Sequence, residues 1–294
     1  MKGGASAGGE RRLAVAGLLA GALIWALIWY PYRILRDAGI DGVVASTISY
    51  ALAIGLLCLR RSPCGAPSWT LLWLALSAGV CNLGYVLATL HGEVMRVLLL
   101  FYLAPLWTVV LARLLLDERL DRTAALAIAL SLAGAATMLW QPQLGLPAPQ
   151  DGADWLGLLA GFSFALFNVL SRRARDLGGE VKAMAGFCGV VILGGLLLIA
   201  GVGRSQLPAS ASLWLLLGGL GGVLVLANLI VQFGLARVPA NRAIVILLSE
   251  TGFAALAAWW LAGEAMSQRE WLGGALIVAA SVLTARREEA GGQD

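Results

Sequence analysis

Gly17-Leu-Leu-Ala-Gly21 recurs unchanged as Gly157-Leu-Leu-Ala-Gly161, and each copy lies in the first apolar run of one half of the chain. Arg36-Asp37 follows the first copy, and Arg175-Asp176 follows the second. At one constant offset, three more pairs of identical residues occur in the same order: Asn82 with Asn228, Arg96 with Arg242, and Glu118 with Glu264. An ordered set of matches of this kind predicts two homologous halves.

The composition predicts a protein that faces lipid. Hydrophobic residues make up 60% of the 294 positions, charged residues only 13%, and the mean hydropathy is +0.83. A soluble domain carries about 25% charged residues, so this chain has too few of them to cover a water-facing surface. The pI of about 9.1 does not indicate a nucleic-acid binder, because the basic residues lie in short loops between apolar runs.

Apolar runs long enough to cross a bilayer recur along almost the whole chain. We predict ten transmembrane helices, at 13–30, 43–59, 69–90, 94–116, 120–140, 154–171, 181–202, 212–235, 243–262 and 270–285. Since each half then has five spans, the second half runs inverted relative to the first. The predicted fold class is an all-α integral membrane protein in which two inverted five-helix repeats surround a central cavity. The predicted segments are a disordered cytoplasmic N-terminus at 1–12, a first repeat at 13–140, an extracytoplasmic linker at 141–153, a second repeat at 154–285 and a cytoplasmic tail at 286–294.

Glycine and proline positions predict how these helices pack and bend. Gly-x-x-x-Gly spacings at 17/21, 157/161 and 218/222 predict that helices approach each other closely there. Pro105 lies in the middle of span four and weakens the helix locally. It is therefore either a hinge or a static kink.

The distribution of basic residues predicts the orientation. Of the 21 Lys and Arg residues, sixteen lie on the side of the N-terminus, Lys182 among them, and five lie on the opposite side. The positive-inside rule therefore places both termini in the cytoplasm, in a bacterial inner membrane. The first apolar run ends in Trp29-Tyr-Pro-Tyr32 rather than in a small-residue cleavage site, so we predict a retained first helix.

The sequence lacks the residues that several classes of enzyme require. His91 is the only histidine, no Gly-x-Ser-x-Gly segment and no P-loop occur, and no aspartate lies in the middle of a span. The four cysteines, Cys58, Cys64, Cys81 and Cys188, have no metal-like spacing. We therefore predict no enzyme, no metal and no cofactor, and we interpret His91 as a residue at the mouth of a pathway. A channel is harder to exclude, although the repeat favours one occluded site for a small molecule.

Polar and aromatic residues at membrane depth form the candidate site. Glu250 is the only acidic residue well inside a predicted span, and a charge there costs about 2.5–3.5 kcal/mol. It therefore contacts a substrate ammonium group, carries a proton, or is a protonated carboxyl that holds helices together. Amides on spans three, six and eight either converge on a site or bond helices to each other. The candidate substrate-binding residues are Trp25, Asn82, Tyr85, Tyr102, Trp107, Phe164, Asn168, Asn228, Gln232 and Glu250.

Two stretches carry a family resemblance: Phe101-Tyr-Leu-Ala-Pro-Leu-Trp107 through Asp117-Glu118, and Leu247-Leu-Ser-Glu-Thr-Gly-Phe253 through Gly263-Glu264. The chain resembles the ten-helix drug/metabolite transporter superfamily over nearly its whole length. Within it, Asn82-Leu-Gly-Tyr85 to Tyr102-Leu-Ala-Pro105 looks most like the bacterial exporters of aromatic amino acids. The resemblance implies a central cavity lined by spans 1, 3, 4, 6, 8 and 9. The family commonly has Glu-Pro in span nine, where this chain has Glu250-Thr251, so the resemblance does not predict a symmetric pair of kinks.

Together, the residues and the resemblance predict a transporter that exports amino acids with large apolar side chains, aromatic ones favoured. An uncharged, aromatic-rich set of residues with one carboxyl suits a neutral or zwitterionic solute. The expected mechanism is alternating access with facilitated diffusion, and the alternative is a proton-coupled antiporter of other small metabolites or drugs. The expected partners are a small-molecule substrate and the lipid bilayer, not nucleic acid, and the expected state is a monomer or weak homo-oligomer.

Overall fold

The computed structural model describes residues 4–60, 68–92, 94–139, 149–203, 210–261 and 267–290, and over these ranges every regular element is an α-helix. The helices are α1 (Gly4–Leu27), α2 (Trp29–Asp37), α3 (Gly42–Leu59), α4 (Trp69–His91), α5 (Val94–Phe101), α6 (Ala104–Leu116), α7 (Arg122–Leu139), α8 (Gly152–Arg173), α9 (Gly179–Ile199), α10 (Ala211–Leu235), α11 (Ala240–Leu247), α12 (Ser249–Leu261) and α13 (Gln268–Ala290). The predicted all-α class is confirmed. Helix α1 begins inside the stretch predicted as an N-terminal tail, and α13 extends into the predicted C-terminal tail.

Seven apolar helical runs in the described ranges are long enough to cross a membrane, judged by length and composition. They are α1–α2 taken from Gly9 to Asp37, α3, α4, α5–α6 taken from Val97 to Leu116, α8, α9 and α10. Arg122–Thr137 and Trp271–Leu283 are shorter apolar stretches. Leu59, Ile199 and Leu215 point outward and are 81%, 86% and 77% exposed, as expected for side chains that face lipid. The fold is therefore multi-pass, and the count of ten crossings stays a prediction.

The predicted kink in span four is a complete break between α5 and α6. Tyr102 and Leu103 form a turn, and α6 begins with Pro105 in its first turn. Proline has no N–H to donate, and the first turn is the part of a helix where that N–H is not needed. The N–H of Leu106 donates to the carbonyl of Leu103 at 2.9 Å, so the new helix starts with a tight turn.

A second break, which the sequence did not predict, separates α11 from α12 at Leu248. The hydroxyl of Ser249 donates to the carbonyl of Ile246 at 2.6 Å, and a serine that bonds back to its own helix bends it. The N–H of Thr251 donates to the carbonyl of Leu248 at 3.1 Å, a bond to the third residue back rather than to the fourth. Both halves therefore contain a broken helix at equivalent places, and Glu250 follows the second break.

The helices pack in pairs that correspond when the two halves are exchanged. Helix α4 of the first half packs on α8 and on α9, and the equivalent helix α10 of the second half packs on α1 and on α3. In the same way, α6 packs on α8, and α12 packs on α1. Helix α3 also contacts α9, and α7 contacts α13, so these two contacts join equivalent helices. The broken helices consequently lie against the first helix of the opposite half.

Two of the repeated glycines, Gly21 and Gly161, lie where helices approach each other closely. A methyl group at Gly161 would collide with the carbonyl oxygen of Phe101, and one at Gly21 would collide with the side chain of Val231. A methyl group at Gly218 would meet nothing within 4 Å. The predicted packing role is confirmed for the first two glycines and is wrong for Gly218.

Candidate functional site

Glu250 lies in the first turn of α12, directly after the helix break. Its side chain is half-buried, and no described residue forms an ion pair or hydrogen bond with its carboxylate. Cys81 and Tyr85, one turn apart on α4, lie within electrostatic range of this carboxylate, and so does Tyr102 in the turn between α5 and α6. Both helix breaks therefore meet α4 around one carboxylate.

Tyr85 and Tyr102 belong to a cluster of four aromatic rings, with Phe101 at the centre. The ring centroid of Phe101 lies 5.4 Å from that of Tyr85, 5.5 Å from that of Tyr102 and 5.5 Å from that of Phe164. The first two contacts are edge-to-face, and each aromatic pair contributes about 0.5–1.5 kcal/mol beyond its burial. Sequence analysis selected the three outer rings and missed Phe101. The position of Phe101 directly before the break at Pro105 is the sequence feature that could have indicated its role.

Several candidate residues carry a buried polar atom without a partner. Asn82 donates through Nδ2 to the hydroxyl of Tyr50 at 3.4 Å, and Gln232 donates through Nε2 to Oγ of Ser171 at 3.2 Å. These bonds join helices, which is one of the two roles that the sequence left open for the amides. The buried atoms left without a hydrogen-bond partner among the described residues include Asn82 Oδ1, Trp107 Nε1, Asn168 Nδ2 and Gln232 Oε1. Such atoms are uncommon in native proteins, so four of the candidates retain polar capacity for a ligand.

Other candidate residues make their contacts elsewhere. Trp25 packs against the hydrophobic cluster that α3 and α9 form. The ring of Trp107 meets that of Phe162 edge-on at 5.5 Å. Nδ2 of Asn228 donates to the carbonyl of Leu224 in its own helix at 3.1 Å. The contacts described for these three candidates therefore do not place them at the Glu250 carboxylate.

The candidates for a mouth and a hinge lie at helix ends. His91 is exposed at the end of α4, and its Nδ1 is 2.9 Å from the carbonyl oxygen of Leu87. Pro105 is buried in the first turn of α6. The exposed position of His91 suits a mouth, and the break beside Pro105 suits a hinge, so both assignments stay proposals.

Lys182 lies inside the protein, although the sequence analysis counted it among the loop cations. Its side chain is 1% exposed, and its Nζ donates to the carbonyl of Ser171 at 3.1 Å. That carbonyl belongs to the last turn of α8, where helix carbonyls need outside donors and the helix dipole favours a cation. Lys182 therefore fastens α9 to the end of α8. A position in the first turn of α9 gave no sequence signal for burial.

A charged cluster joins the two halves at one end of the bundle. Nε of Arg172 lies 3.3 Å from Glu118 Oε1, and Nη1 of Arg172 donates to the carbonyl of Ala236 at 2.7 Å. The other oxygen of Glu118 accepts from the N–H of Ala240 at 2.9 Å. Glu118 is thus ion-paired, as expected for an acidic residue at a span end, and its partner comes from the other half of the chain.

A second ion pair lies in the same cluster. Nη2 of Arg242 is 2.9 Å from Oδ2 of Asp121. Asp121 also accepts from the N–H of Ala124 at 2.6 Å and thereby caps α7. This backbone hydrogen bond, and then Arg242, hold the pKa of Asp121 below the ordinary value of an aspartate. A cavity of about 270 Å³ adjoins the cluster and is lined in part by Asn241.

Over the described ranges, no three His, Cys, Asp or Glu side chains lie close enough together to hold a metal ion. The candidate site is therefore a set of carboxylate, amide and aromatic groups. Such groups bind a solute by charge, hydrogen bonds and ring contacts.

One family model matches this arrangement twice, over residues 12–140 and 152–286, and it describes the EamA-like transporter family. The chain belongs to the EamA-like transporter family. An "Uncharacterized transporter" of Archaeoglobus fulgidus is 31% identical over 241 residues, which cover 81% of this chain and 83% of that protein. "Protein RarD" of Streptomyces exfoliatus is 27% identical over 299 residues, with 91% of this chain and 88% of that protein covered.

A solved crystal structure has the same fold as this EamA-like transporter. It superposes with a TM-score of 0.74 at 22% identity and covers 92% of this chain and 97% of its own. The resemblance to the drug/metabolite transporter superfamily is confirmed at that level. The protein is therefore a multi-pass membrane transporter of small metabolites. The names of these two relatives specify no substrate.

Proposed function

We propose that this EamA-like transporter exports amino acids with large apolar side chains, aromatic ones favoured, by alternating access and facilitated diffusion. The observation that carries the proposal is the half-buried Glu250 carboxylate within electrostatic range of Tyr85 and Tyr102, two rings of the cluster that also contains Phe101 and Phe164. A carboxylate without a protein cation is a partner for a substrate ammonium group. Aromatic rings next to it favour a substrate with an aromatic or large apolar side chain.

The remaining charge of a zwitterion is a carboxylate, which needs hydrogen-bond donors. Asn168 lies one turn after Phe164 on α8, and its Nδ2 is buried without a partner in the described structure. We assign this amide to the substrate carboxylate. The aromatic cluster then lies between the groups that bind the two ends of the amino acid. Such an arrangement selects zwitterions over amines that lack a carboxylate.

The proposed transport direction rests on the orientation and the repeat. The double match of the family model supports two homologous halves, and the corresponding packing pairs are what inverted repeats around a central cavity would produce. With both termini in the cytoplasm of an inner membrane, the cell's own excess of substrate drives export without another energy source. Labelling of cysteines placed at 149 and 150 from the extracytoplasmic side tests the orientation.

Counterflow in proteoliposomes tests the function. Vesicles loaded with unlabelled phenylalanine should accumulate labelled phenylalanine and tryptophan, and accumulation of lysine or a nucleotide sugar should be much weaker. Glu250→Gln should weaken apparent affinity about fivefold to tenfold, because a charge-assisted hydrogen bond exceeds a neutral one by about 1 kcal/mol. Asp37→Asn is the matched control, since that carboxylate is exposed and pairs with Arg36. Transport of polyamines or nucleotide sugars without transport of phenylalanine or tryptophan would overturn the assignment.

A proton-coupled antiporter is the second candidate, and the unpaired Glu250 carboxyl favours it. A buried carboxyl without a cation exchanges a proton and a substrate on the same oxygen atoms, which couples the two. In that case a pH gradient should drive uptake into the vesicles, and Glu250→Gln should abolish this uptake but leave counterflow intact. Equal pH responses in both proteins would exclude the coupled mechanism.

A further inference from the structure

Two partly buried ion pairs at one end of the bundle connect the two repeats, next to the more exposed pair of Arg237 and Glu10. Glu118 and Asp121 lie in the connection between α6 and α7, in the first half. Their partners belong to the second half: Arg172 lies in the last turn of α8, and Arg242 lies in α11. A relative movement of the two repeats at this end therefore has to separate both pairs.

The partner groups of the second half are held rigidly within that half. Ser171, directly before Arg172, accepts from Lys182 of α9 through its carbonyl and from Gln232 of α10 through its hydroxyl. Arg172 itself donates to the carbonyl of Ala236 at the end of α10. The end of α8 is thus bonded to α9 and α10, and only the Nε side of the guanidinium reaches the first half.

The contacts to the first half are of a kind that can break and re-form. The Arg172 and Glu118 side chains are 16% and 19% exposed, and the Arg242 and Asp121 side chains are 21% and 47% exposed. Ion pairs that water reaches contribute little net free energy, because the separated charges regain hydration. Two charged side chains that are fully buried would not separate so easily, because water could not reach them. Partly hydrated pairs therefore suit a contact that opens in every transport cycle.

Helix α11 connects these ion pairs to the candidate substrate site. It runs from Ala240, whose N–H binds Glu118, through Arg242 to the break before Glu250. The helix is buried at nearly every position, and its eight residues span about 12 Å. One short buried helix therefore connects the ion pairs to the break that precedes Glu250.

We propose that Glu118–Arg172 and Asp121–Arg242 are the gate of this end of the transport pathway, closed here and opened when the two repeats move apart. The inference rests on the alternating access of the proposed function. With both termini inside, this gate faces the cytoplasm. The gate lies at the N-terminal end of α11, and Glu250 follows the break at the C-terminal end of α11, so binding of an ammonium group and opening of the gate are linked.

Thiol accessibility tests the gate without any substrate. Asn241 lines the adjoining cavity and is 4% exposed, and it is replaced by cysteine in a chain whose native cysteines are alanine. The rate of labelling by a bulky maleimide is measured in detergent. Arg172→Gln and Asp121→Asn should each raise this rate at least fivefold, whereas Arg172→Lys, which keeps the charge, should raise it less. Asp37→Asn is the control, because its ion pair with Arg36 is exposed and lies within the first half. Equal rates in all variants would overturn the gate.

A disulfide between the two halves provides the second measurement. In the same cysteine-free background, Asp121→Cys with Arg242→Cys should cross-link on oxidation. Counterflow of phenylalanine should then be at least tenfold lower than in the same double variant after reduction, and oxidation should leave the counterflow of each single variant unchanged. Full transport in the cross-linked protein would refute the gate. If no amino acid moves in any variant, the proposed function fails, and the labelling rates still decide the gate.

Discussion

Replacing Gly161 by alanine tests whether close helix packing sets the geometry of the candidate site. The new methyl group would lie 3.0 Å from the Cα atom of Phe101 and would collide with its carbonyl oxygen. Both atoms are backbone atoms, so no side-chain rotation relieves the contact. The backbone of Phe101 must move, and with it the ring at the centre of the aromatic cluster.

Gly218→Ala is the matched control for this prediction. Both glycines lie inside long helices, so alanine gains about 1 kcal/mol of helix propensity in each. At Gly218 nothing lies within 4 Å of the added methyl group, and that gain should appear as higher stability. The difference in unfolding free energy between the two variants is therefore the cost of the collision. Overpacking of this kind costs about 1–3 kcal/mol.

The assay combines thermal unfolding in detergent with counterflow in vesicles. Gly161→Ala should unfold at a lower temperature than Gly218→Ala and should bind aromatic amino acids more weakly. Equal unfolding temperatures would show that α8 and the end of α5 do not press together there. A destabilised protein with unchanged substrate affinity would show that Phe101 does not shape the site.

Four further outcomes are expected. Tyr85→Leu should reduce phenylalanine affinity more than leucine affinity, as measured by competition in counterflow, because the aromatic contact is lost. Asp121 should retain its charge below the pH at which an ordinary aspartate protonates, since its pKa is lowered. The maleimide labelling rate at the gate, divided by the rate of a fully exposed cysteine at the same pH, should stay constant from neutral pH down to that range and rise only as pH falls through the lowered pKa. Cysteines at Asn82 and Asn228 should react with bulky thiol reagents that block transport, and substrate should slow the reaction; unreactive, active variants would assign both residues to packing. Lys182→Met should lower the unfolding temperature, because the last turn of α8 loses a hydrogen-bond donor. Lys182→Arg retains a donor and should lower the unfolding temperature less.

The sequence predicted the helical class, and it selected Glu250 as a candidate, because both depend on local composition. Apolar runs of membrane length and a lone acidic residue inside one of them require no knowledge of packing. The aromatic residues Tyr85, Tyr102 and Phe164 were found because the resemblance and the polar faces of the spans pointed to their helices. Phe101 was missed because its importance comes from three contacts to other helices or across the break, and no single-helix pattern shows these.

Two other features depend on tertiary structure. The break at Leu248 arises from the hydroxyl of Ser249 rather than from proline, and a serine in a helix does not by itself predict a bend. Lys182 lies one turn into α9, where a cation usually reaches water by extending its chain. Lys182 is instead enclosed and bonded to the carbonyl of Ser171, and a count of basic residues along the sequence does not show this burial.

The enclosure of Lys182 leaves the protein with very little accessible amine. Lys2 is the only other lysine of the sequence, so an amine-reactive dye should modify the folded protein near residue 2 and hardly elsewhere. The wild-type chain can thus be tagged at one end without mutagenesis. In sealed vesicles, an impermeant form of the dye would show on which side of the bilayer that end lies. After denaturation one further equivalent of dye should react, and its appearance would follow the loss of packing around the end of α8.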